Sequence, residues 1–418
     1  MIVTIAGNGT QGNSGIGGPA SSCELDYPLD AVFDHAGNLY ITDSGNDAVK
    51  KIDANGNITH VATIYEPVAI ACDKHDNLFV ISQNYQSVMK ISPTGSVSLF
   101  AGMANGTHAY SGDGGPATSA TLDYPYGLAI DTAGNVFIST NGDARIRKVN
   151  TSGIITTIAG NGQNIMGPNG NNGPATAAYL ASPRGIAFDK AGNLYVAEQV
   201  GQVRRISTAG VINKFAGDFN LGSGYSGDGS LAKTAQLNGP VEVAVDSTGN
   251  VYISDMGNQV IRMVNISSGI ISTYVGSGFH GGPGGPAGQG GYGGDGGPLL
   301  ACRLNNPWGL TFTTSGELVI VDWFNHRVRK ITTPTFVGEI DYQLLFSVYP
   351  NPAKGLFQLK QESPGKVRIN NALGQEILSE TLPAGEHRID LRDHAPGIYA
   401  LQVIHDGRQQ TLKLIHDN

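Results

Sequence analysis

The sequence predicts an all-β protein in which a six-bladed β-propeller is followed by a small immunoglobulin-like β-sandwich. Three observations lead to this prediction: a proline-initiated motif recurs six times, each copy contains short runs rich in β-branched residues, and turn signals separate these runs. The copies begin at Pro28, Pro67, Pro125, Pro183, Pro240 and Pro307. Because no window of helical periodicity interrupts them, four-stranded units repeated around a ring account for the pattern.

The copy that begins at Pro125 shows the order of elements within one unit. Residues 127–130 predict a buried first strand, and residues 131–135 predict a tight turn, since its Asp caps local backbone and Gly134 tolerates positive φ. Residues 136–138 predict a second strand, residues 145–149 a third, and residues 153–160 a fourth that runs into a glycine-rich loop. We expect the Arg and Lys residues of the third strands to pair with carboxylates on blade surfaces.

The two ends of the repeat array predict how the ring closes. The copy at Pro307 ends near Ile331 after three strands, whereas residues 2–9 (IVTIAGNG) parallel the fourth strand of an earlier copy, residues 155–162 (ITTIAGNG). The N-terminal segment should therefore complete the sixth blade. Closure protects sheet edges that would otherwise pair with other chains.

The repeats also carry a recognisable consensus. They fit P-x-G-[LIV]-A-[FIV]-D-x-x-G-N-[LV]-[YF]-[IV]-x-[DE], followed by G-N-x-x-[VI]-[RK]-[RK]-[VI], which residues 257–264 and 325–331 carry well. Over residues 1–332 the chain resembles the NHL repeat family. The resemblance implies a propeller, but members bind proteins, RNA, sugars or other substrates, so the fold does not choose among these ligands.

Composition changes after the last repeat, where residues 333–342 predict a linker and residues 343–418 a second domain of short alternating strands. Three separate motifs in this domain resemble the type A C-terminal sorting domain of the type IX secretion system. The matching residues are Tyr349, Pro350, Asn351, Pro352, Gly355, Leu373, Gly374, Gln375, Gly397 and Tyr399. The resemblance implies the secretion machinery as a partner, export across the outer membrane of a Bacteroidota-type bacterium, cleavage of this domain, and release or surface attachment.

The beginning of the chain does not match this expectation of export. Residues 1–7 have no basic region, sustained apolar segment or cleavage site, so we expect a truncated start with a signal peptide upstream. No apolar run is long enough to predict a transmembrane segment.

Charge and cysteine content narrow the function classes. The 418 residues carry a net charge of −8, which disfavours nucleic acid as a partner. Three cysteines do not form a disulfide framework. Cys23 and Cys302 stand five residues before a repeat proline, where other copies have alanine, so a small buried side chain is expected there; Cys72 is expected in the core. We also expect a monomer.

A candidate ligand site lies where the first strands begin, at one end of the channel. The residue after each repeat proline should line this mouth, and three of these residues are large and varied: Tyr126, Arg184 and Trp308. The next positions include two acids, Asp30 and Glu242, among small residues. These five residues predict a ligand-binding mouth. The alternative is that Tyr126 and Trp308 plug the channel or pack under loops.

Acids that end the second strands predict a weaker, alternative site. Asp43, Glu198, Asp255 and Asp322 should lie near the same end of the ring, where carboxylates could hold a divalent cation. The alternative is that they brace inter-blade loops through backbone N–H groups. The loop residues Asp113, Asp228 and Asp295 lack the spacing of a calcium loop.

The function that follows is a secreted or cell-surface propeller that binds a protein or glycan and uses no catalytic residues and no cofactor. The alternative is a metal-dependent lyase or lactone hydrolase whose channel-mouth acids, such as Asp30, Glu242, Asp255 and Asp322, hold a divalent cation. A third hypothesis is a structural adhesin component without a small-molecule site. The sequence contains no nucleophile elbow and no phosphate-binding loop motif, and this favours the binding function.

Overall fold

A computed structural model describes residues 1–163, 170–278, 291–332, 346–351, 353–361, 363–371, 375–405 and 408–417. The chain divides into two compact units, Met1–Pro334 and Thr335–Asn418. The predicted linker and the motif residues Pro352, Leu373 and Gly374 lie outside the described residues.

The first unit is a six-bladed propeller of antiparallel sheets, as the repeat count predicted. Each innermost strand contacts the innermost strands of the two neighbouring blades, and the first contacts the sixth. From the channel outward, blade 1 consists of Pro28–Phe33, Leu39–Asp43, Ala48–Ile52 and Ile58–Thr63; blade 2 of Pro67–Cys72, Leu78–Ser82, Ser87–Ile91 and Val97–Ala101; and blade 3 of Pro125–Ile130, Val136–Thr140, Arg145–Val149 and Ile155–Ala159. Blade 4 consists of Pro183–Phe188, Leu194–Glu198, Gln202–Ile206 and Val211–Ala216; blade 5 of Pro240–Val245, Val251–Asp255, Val260–Val264 and Ile270–Val275; and blade 6 of Pro307–Phe312, Leu318–Asp322, Arg327–Ile331 and Ile2–Ala6.

The N-terminal strand closes the ring, which confirms the predicted closure. Ile2–Ala6 pairs antiparallel with Arg327–Ile331, with Ile2 opposite Ile331. The terminal amino group of Met1 donates a hydrogen bond to the carbonyl of Thr332 at 2.8 Å, and the Ile2 side chain is fully buried. The last blade is thus assembled from both ends of the propeller sequence.

The hairpin turns follow the predicted chemistry. In blade 3, the Asp131 carboxylate accepts hydrogen bonds from the backbone N–H groups of Ala133 and Asn135 at 3.0 and 2.8 Å. Gly134 has φ +87° and donates its N–H to the Asp131 carbonyl. Because this conformation favours glycine, the turn sequence explains the hairpin.

Long loops cover the outer edges of most blades. In blade 4 the two-residue strand Gly173–Pro174 pairs with the outermost strand, and in blade 5 Ser230–Leu231 does the same. Blade 2 is reached by a short connection, and no described residue pairs with the outer edge of its strand Val97–Ala101. Short 3-10 helices lie in these loops and turns: Ala20–Ser22, Ser44–Asn46, Ala117–Ser119, Ala175–Ala177, Phe219–Leu221, Ala232–Thr234, Met256–Asn258, Leu299–Ala301 and Trp323–Asn325.

The propeller core is divided into clusters between consecutive blades. Ile146 of blade 3, for example, packs in one cluster with Ile186 of blade 4. The predicted small residues Cys23 and Cys302 are free thiols and are fully buried. The backbone of Gly294 lies so close to Cys302 that an added Cβ would be 2.6 Å from its Cα, which explains why a small side chain stands there. Cys72 is half-buried, since it packs against the core cluster between blades 1 and 2 and also lines the channel cavity.

The third-strand arginines form ion pairs, but the predicted location on blade surfaces is wrong. The Arg147, Arg262 and Arg329 side chains are fully buried. Arg147 pairs with the loop residue Asp113 at 2.6 Å, Arg262 with Asp228 at 2.6 Å and Arg329 with Asp295 at 2.5 Å. The loop aspartates therefore anchor the loops to the blades.

The second unit contains two antiparallel sheets, as predicted for a sandwich. Phe346–Tyr349, Leu356–Gln361 and Gly385–Asp390 form one sheet. Glu376–Leu382, Gly365–Asn370, Gly397–His405 and Arg408–His416 form the other, in that spatial order. Phe357 and Leu401, from different sheets, are fully buried in one core cluster.

Described residues of the first and third sorting motifs contact the last strand, with which Tyr399 pairs at Leu414, whereas Gln375 of the second motif bonds Asn371 in a turn. The Asn351 side-chain oxygen accepts a hydrogen bond from the backbone N–H of Ile415 at 2.8 Å. An added Cβ on Gly355 would lie 2.7 Å from His416 Nε2. The Tyr399 hydroxyl donates to the Ala395 carbonyl at 2.6 Å. Within the described ranges, none of the helices has the length and apolar character that spanning a bilayer requires.

Candidate ligand-binding face

The end of the ring at which the innermost strands begin is called the mouth face here. Each innermost strand begins at a repeat proline, and the residue before that proline has a left-handed backbone in all six blades. These residues are Tyr27, Glu66, Tyr124, Ser182, Gly239 and Asn306, with φ between +44° and +62°. The repeated sharp turn directs the chain into the channel and places the residue after the proline at the mouth.

Tyr126, Arg184 and Trp308, called the mouth cluster, come together from blades 3, 4 and 6. The guanidinium carbon of Arg184 lies 4.2 Å from the Tyr126 ring centroid and 5.2 Å from that of Trp308. The two rings are stacked, with centroids 6.5 Å apart. Arg184 Nε donates a hydrogen bond to Gln199 Oε1 at 2.9 Å. The guanidinium therefore lies over both rings from one side, and a cation in this position is attracted by each ring.

The mouth cluster is part plug and part surface. Trp308 is 8% exposed and packs with Leu29, Val68 and Val241, which occupy the equivalent position in other blades. Tyr126 and Arg184 remain half-buried. Burial lowers the pKa of Arg184, and the nearby Tyr126 opposes this effect. Trp308 therefore packs in the channel core, as the alternative for this position has it, whereas Arg184 and Tyr126 are only partly covered.

A cleft of about 340 Å³ lies beside the mouth cluster, between blades 4 and 5. Its lining includes Gln199, the residue that holds Arg184, together with Ser182, Ser223, Asn238 and Met256. This lining mixes polar and apolar groups and carries no charged side chain. The cleft therefore offers hydrogen-bonding groups next to the cation of Arg184.

Exposed aromatic side chains surround the same face. They follow or precede the strand ends at the mouth, and Tyr65, Tyr85, Tyr124 and Phe324 are 47%, 40%, 45% and 39% exposed. Tyr65 and Tyr85 contact each other edge to face, at 5.4 Å between centroids. Sequence reasoning missed this aromatic rim because, at the strand ends and in the loops, it considered only acidic residues. The signal was present, since Tyr124 stands directly before a repeat proline.

The predicted site acids Asp30 and Glu242 line a separate part of the channel. A cavity of about 380 Å³ contains them together with later residues of the innermost strands, and its lining does not include the mouth cluster. The Asp30 carboxylate accepts backbone N–H groups of Ala31 and Ile70 at 2.8 and 2.9 Å. Burial raises the pKa of Asp30 to about 7. Burial and the charge of Asp30 raise the pKa of Glu242 well above its usual range.

The second-strand acids are engaged in structural contacts. Asp43 pairs with Lys50, Asp255 lies 3.5 Å from Arg262, Asp322 lies 3.3 Å from Arg329, and Glu198 lies 3.9 Å from Arg204. All four acids and their cationic partners are buried. Burial raises the pKa of Glu198 to about 7 and those of Asp255 and Asp322 to about 6.

These acids also brace the inter-blade loops. Asp255 accepts the backbone N–H of Asn238 at 2.7 Å, and Asp322 accepts that of Asn305 at 2.7 Å. These contacts agree with the bracing alternative for the second-strand acids. In the part of the chain that the structure describes, no three His, Cys, Asp or Glu side chains are grouped so that they could hold a metal ion.

Comparison with known proteins identifies the two kinds of module. A model described as secretion system C-terminal sorting domain matches residues 347–417, and the NHL repeat model matches residues 304–331. A teneurin NHL domain model matches residues 104–169 and 220–283. The chain thus carries NHL repeats and a sorting domain for type IX secretion, and it is an exported propeller protein.

Curated relatives match the repeat region. Human Teneurin-1 is 24% identical over 361 residues, which cover 63% of this chain and 13% of that protein. Mouse Teneurin-4 is 28% identical over 215 residues, which cover 48% of this chain and 7% of that protein. The chain therefore spans only a small part of the length of these relatives.

Solved structures share the propeller fold. A structural genomics protein from Bacteroides thetaiotaomicron is 17% identical with a TM-score of 0.59, and the match covers 79% of this chain and 74% of that chain. An auxiliary nutrient binding protein from Bacteroides ovatus is 16% identical with a TM-score of 0.57, and the match covers 79% and 76%. At these identities the likeness shows the fold alone.

Proposed function

We propose that this exported propeller binds an extracellular glycan or protein on its mouth face. The observation that carries the proposal is the mouth cluster, in which the half-buried Arg184 lies over the rings of Tyr126 and Trp308. A concave cleft of mixed polar and apolar lining beside it, with exposed aromatic rings around it, forms the combination that ligand sites commonly have. The rim aromatics are exposed on a rigid scaffold, where their burial by a ligand would contribute to affinity.

The location of these groups supports recognition instead of fold stability. The rim aromatics are not part of the cluster in which Leu29, Val68, Val241 and Trp308 pack together at the mouth of the channel. Tyr124 is 45% exposed and its ring contacts His108 at 4.2 Å between centroids, so it contributes little to the core. Large apolar side chains that are exposed to solvent and contribute little to the stability of the fold are typical of interaction surfaces.

Export places this face where an extracellular ligand is available. We propose that the type IX secretion machinery recognises the C-terminal domain, and that the propeller is then released or attached at the outer-membrane surface as a monomer. Two structural neighbours are described as auxiliary nutrient binding proteins, from Bacteroides thetaiotaomicron and Bacteroides ovatus. A nutrient glycan is therefore one ligand class that merits testing.

A binding screen tests the proposal. The purified chain would be applied to arrays of polysaccharides and of extracellular proteins, next to the variant Tyr124→Ala/Phe324→Ala. Because aromatic anchors dominate binding energy at interfaces, we expect the variant to lose about tenfold or more in affinity. The matched control Leu231→Ala/Leu300→Ala removes two exposed apolar side chains elsewhere on the propeller, each 59% exposed, and should bind as wild type. Retention that is equal in both variants, or absent throughout, would contradict the proposal.

A further inference from the structure

Arg184 differs from the fully buried cations of the propeller in its partners. Lys50, Arg147, Arg204, Arg262 and Arg329 each have a carboxylate within ion-pair distance. Among the described residues, no carboxylate forms an ion pair with Arg184. Its neighbours are an amide oxygen and two aromatic rings. A half-buried cation without an anion is costly, and an external anion would relieve that cost.

The guanidinium is also held ready for a ligand. Gln199 accepts the Nε–H, and the guanidinium lies over the rings of Tyr126 and Trp308. Apart from the groups that face Gln199 and the Tyr126 hydroxyl, its N–H donors are left for an external acceptor, in a planar fork that suits two oxygens of one carboxylate. Because the orientation is fixed before binding, little conformational entropy is lost when an anion arrives.

The cleft beside Arg184 indicates what should carry the anion. Ser182, Ser223 and Asn238 supply hydroxyl and amide groups there, without charge. Its volume of about 340 Å³ is at the small end of ligand pockets. Hydroxyl-rich ligands satisfy such a lining, whereas an extended peptide is commonly bound along an open strand edge. The exposed faces of Tyr124 and Phe324 offer apolar surface for the C–H faces of sugar rings.

We infer that the mouth face selects an anionic saccharide, with the carboxylate of a uronic acid on Arg184 and an adjoining sugar ring in the cleft. This inference rests on the proposed function and narrows its ligand class. Gln199 acts as a positioning residue, since it orients the guanidinium through Nε. An acidic peptide and a sulfated saccharide share part of the chemistry, and the experiment separates them.

Paired ligands test the carboxylate directly. Binding of the full chain would be measured on a panel of uronic-acid polysaccharides, each beside the same polysaccharide after reduction of its carboxyl groups to alcohols. Sulfated neutral polysaccharides and acidic peptides complete the panel. We expect at least one uronic-acid polysaccharide to bind about tenfold or more tightly than its reduced form, since charge-assisted hydrogen bonds to a fixed guanidinium are strong.

Two variants connect the preference with Arg184. Arg184→Gln should abolish the preference for the carboxylated form. Gln199→Glu places a carboxylate beside the guanidinium, so it should abolish the preference while keeping or raising the melting temperature. Gln83→Glu is the matched control, because Gln83 follows the second strand of blade 2 as Gln199 follows that of blade 4. It adds the same charge on the same face and should keep the preference.

The outcomes separate this inference from the proposed function. Equal binding of carboxylated and reduced forms, with loss in Tyr124→Ala/Phe324→Ala, would overturn the inference and leave the mouth face as a binding surface. A preference confined to sulfated saccharides or to acidic peptides would also overturn it. Failure to retain any polysaccharide, peptide or extracellular protein would overturn both. A carboxylate preference that survives in Arg184→Gln and Gln199→Glu would place the anion site elsewhere.

Discussion

Arg329 donates hydrogen bonds to Asp295, which precedes it by 34 residues, and the same spacing joins Arg147 to Asp113 and Arg262 to Asp228. The pairing attaches each long loop to the blade that it enters. Asp113 also accepts the backbone N–H of Thr157 at 2.8 Å, so one carboxylate contacts the loop, the third strand and the outermost strand. Blade 2 has neither the loop nor the cation, since Met89 occupies the equivalent position.

The number of carboxylates around each arginine predicts how much the free energy of unfolding falls when one of these carboxylates is removed. Arg147 pairs with Asp113, whereas Arg329 has both Asp295 and Asp322. Asp113→Asn removes the carboxylate beside a buried cation, and we expect the free energy of unfolding to fall by about 2 kcal/mol, less than for a fully buried pair because Asp113 is part-exposed. Asp295→Asn leaves Asp322 in place and should cost less. Denaturant unfolding of both variants measures this difference, and equal losses would contradict it.

Ring closure by the N-terminal strand predicts a large effect of a small truncation. Ile2 is fully buried between blades, so Ile2→Ala should lower the free energy of unfolding by about 2–4 kcal/mol. Deletion of residues 1–6 exposes the edge of Arg327–Ile331, and we expect aggregation because unpaired strand edges associate. Thermal unfolding and size-exclusion chromatography measure both effects. Ile270→Ala, at a 38% exposed outer-strand position, is the control and should have little effect.

The channel acids predict a pH dependence of stability. Burial raises the pKa of Asp30 to about 7, and burial with the charge of Asp30 raises that of Glu242. In the unfolded chain both ionise near about pH 4. Between these values the folded protein binds more protons than the unfolded chain, so this contribution to stability falls as the pH rises from about 4 to about 7.

Glu242→Gln tests this pH dependence. The variant lacks one of the two charges, so it should be more stable than wild type at pH 8, by about 1 kcal/mol or more, since one pKa unit corresponds to roughly 1.4 kcal/mol. The difference should shrink as the pH approaches 4. Urea unfolding at several pH values provides the measurement, and Glu66→Gln, which removes an exposed carboxylate, is the comparison. A difference that is constant with pH would show that the Glu242 charge is not its source.

The backbone conformation and close surroundings of Gly355 in the sorting domain predict that its substitution destabilises the C-terminal unit. Gly355 has φ +72°, and an added Cβ would lie 2.7 Å from His416 Nε2 and 3.0 Å from the backbone of Arg392. Gly355→Ala should therefore destabilise the C-terminal unit by about 1–3 kcal/mol, through backbone strain and overpacking. Gly385→Ala, with φ +132° but no atom within 4 Å of the added Cβ, separates strain from packing.

Export is the second measurement for this glycine. If recognition by the secretion machinery requires the folded domain, cells that express the Gly355→Ala variant should retain the protein in the periplasm. Cell fractionation will detect this retained protein. Secretion at the wild-type level, together with the expected loss of stability, would show that recognition does not depend on this fold.

Most of the fold followed from local patterns. The six prolines, the Asp-x-x-Gly-Asn turns and the matching residues 2–9 and 155–162 predicted the blades and their closure, because hairpins are specified by neighbouring residues. The spacing Asp113 to Arg147 was visible in the sequence but was not interpreted, since pairing over 34 residues depends on the path of the loop. The sequence did not distinguish the second-strand acids as cation ligands from the same acids as braces, because their Lys and Arg partners and the loop N–H groups are brought to them by the fold.

The candidate site, too, was predicted in part by local sequence patterns and depends in part on contacts that only the fold creates. Repeat register alone placed Tyr126, Arg184 and Trp308 at one position of the inner strands, because equivalent residues of a repeat occupy equivalent places in a ring. The repeat register did not place Asp30 and Glu242 apart from the mouth cluster. Each stands one residue further along its strand, where the side chain lies on the opposite face of the sheet. Which cations lack a carboxylate, and which aromatic rings remain exposed, are properties of side chains from different blades. These properties depend on how side chains from different blades pack across the channel, and a local sequence pattern does not specify contacts between residues that are far apart in the chain.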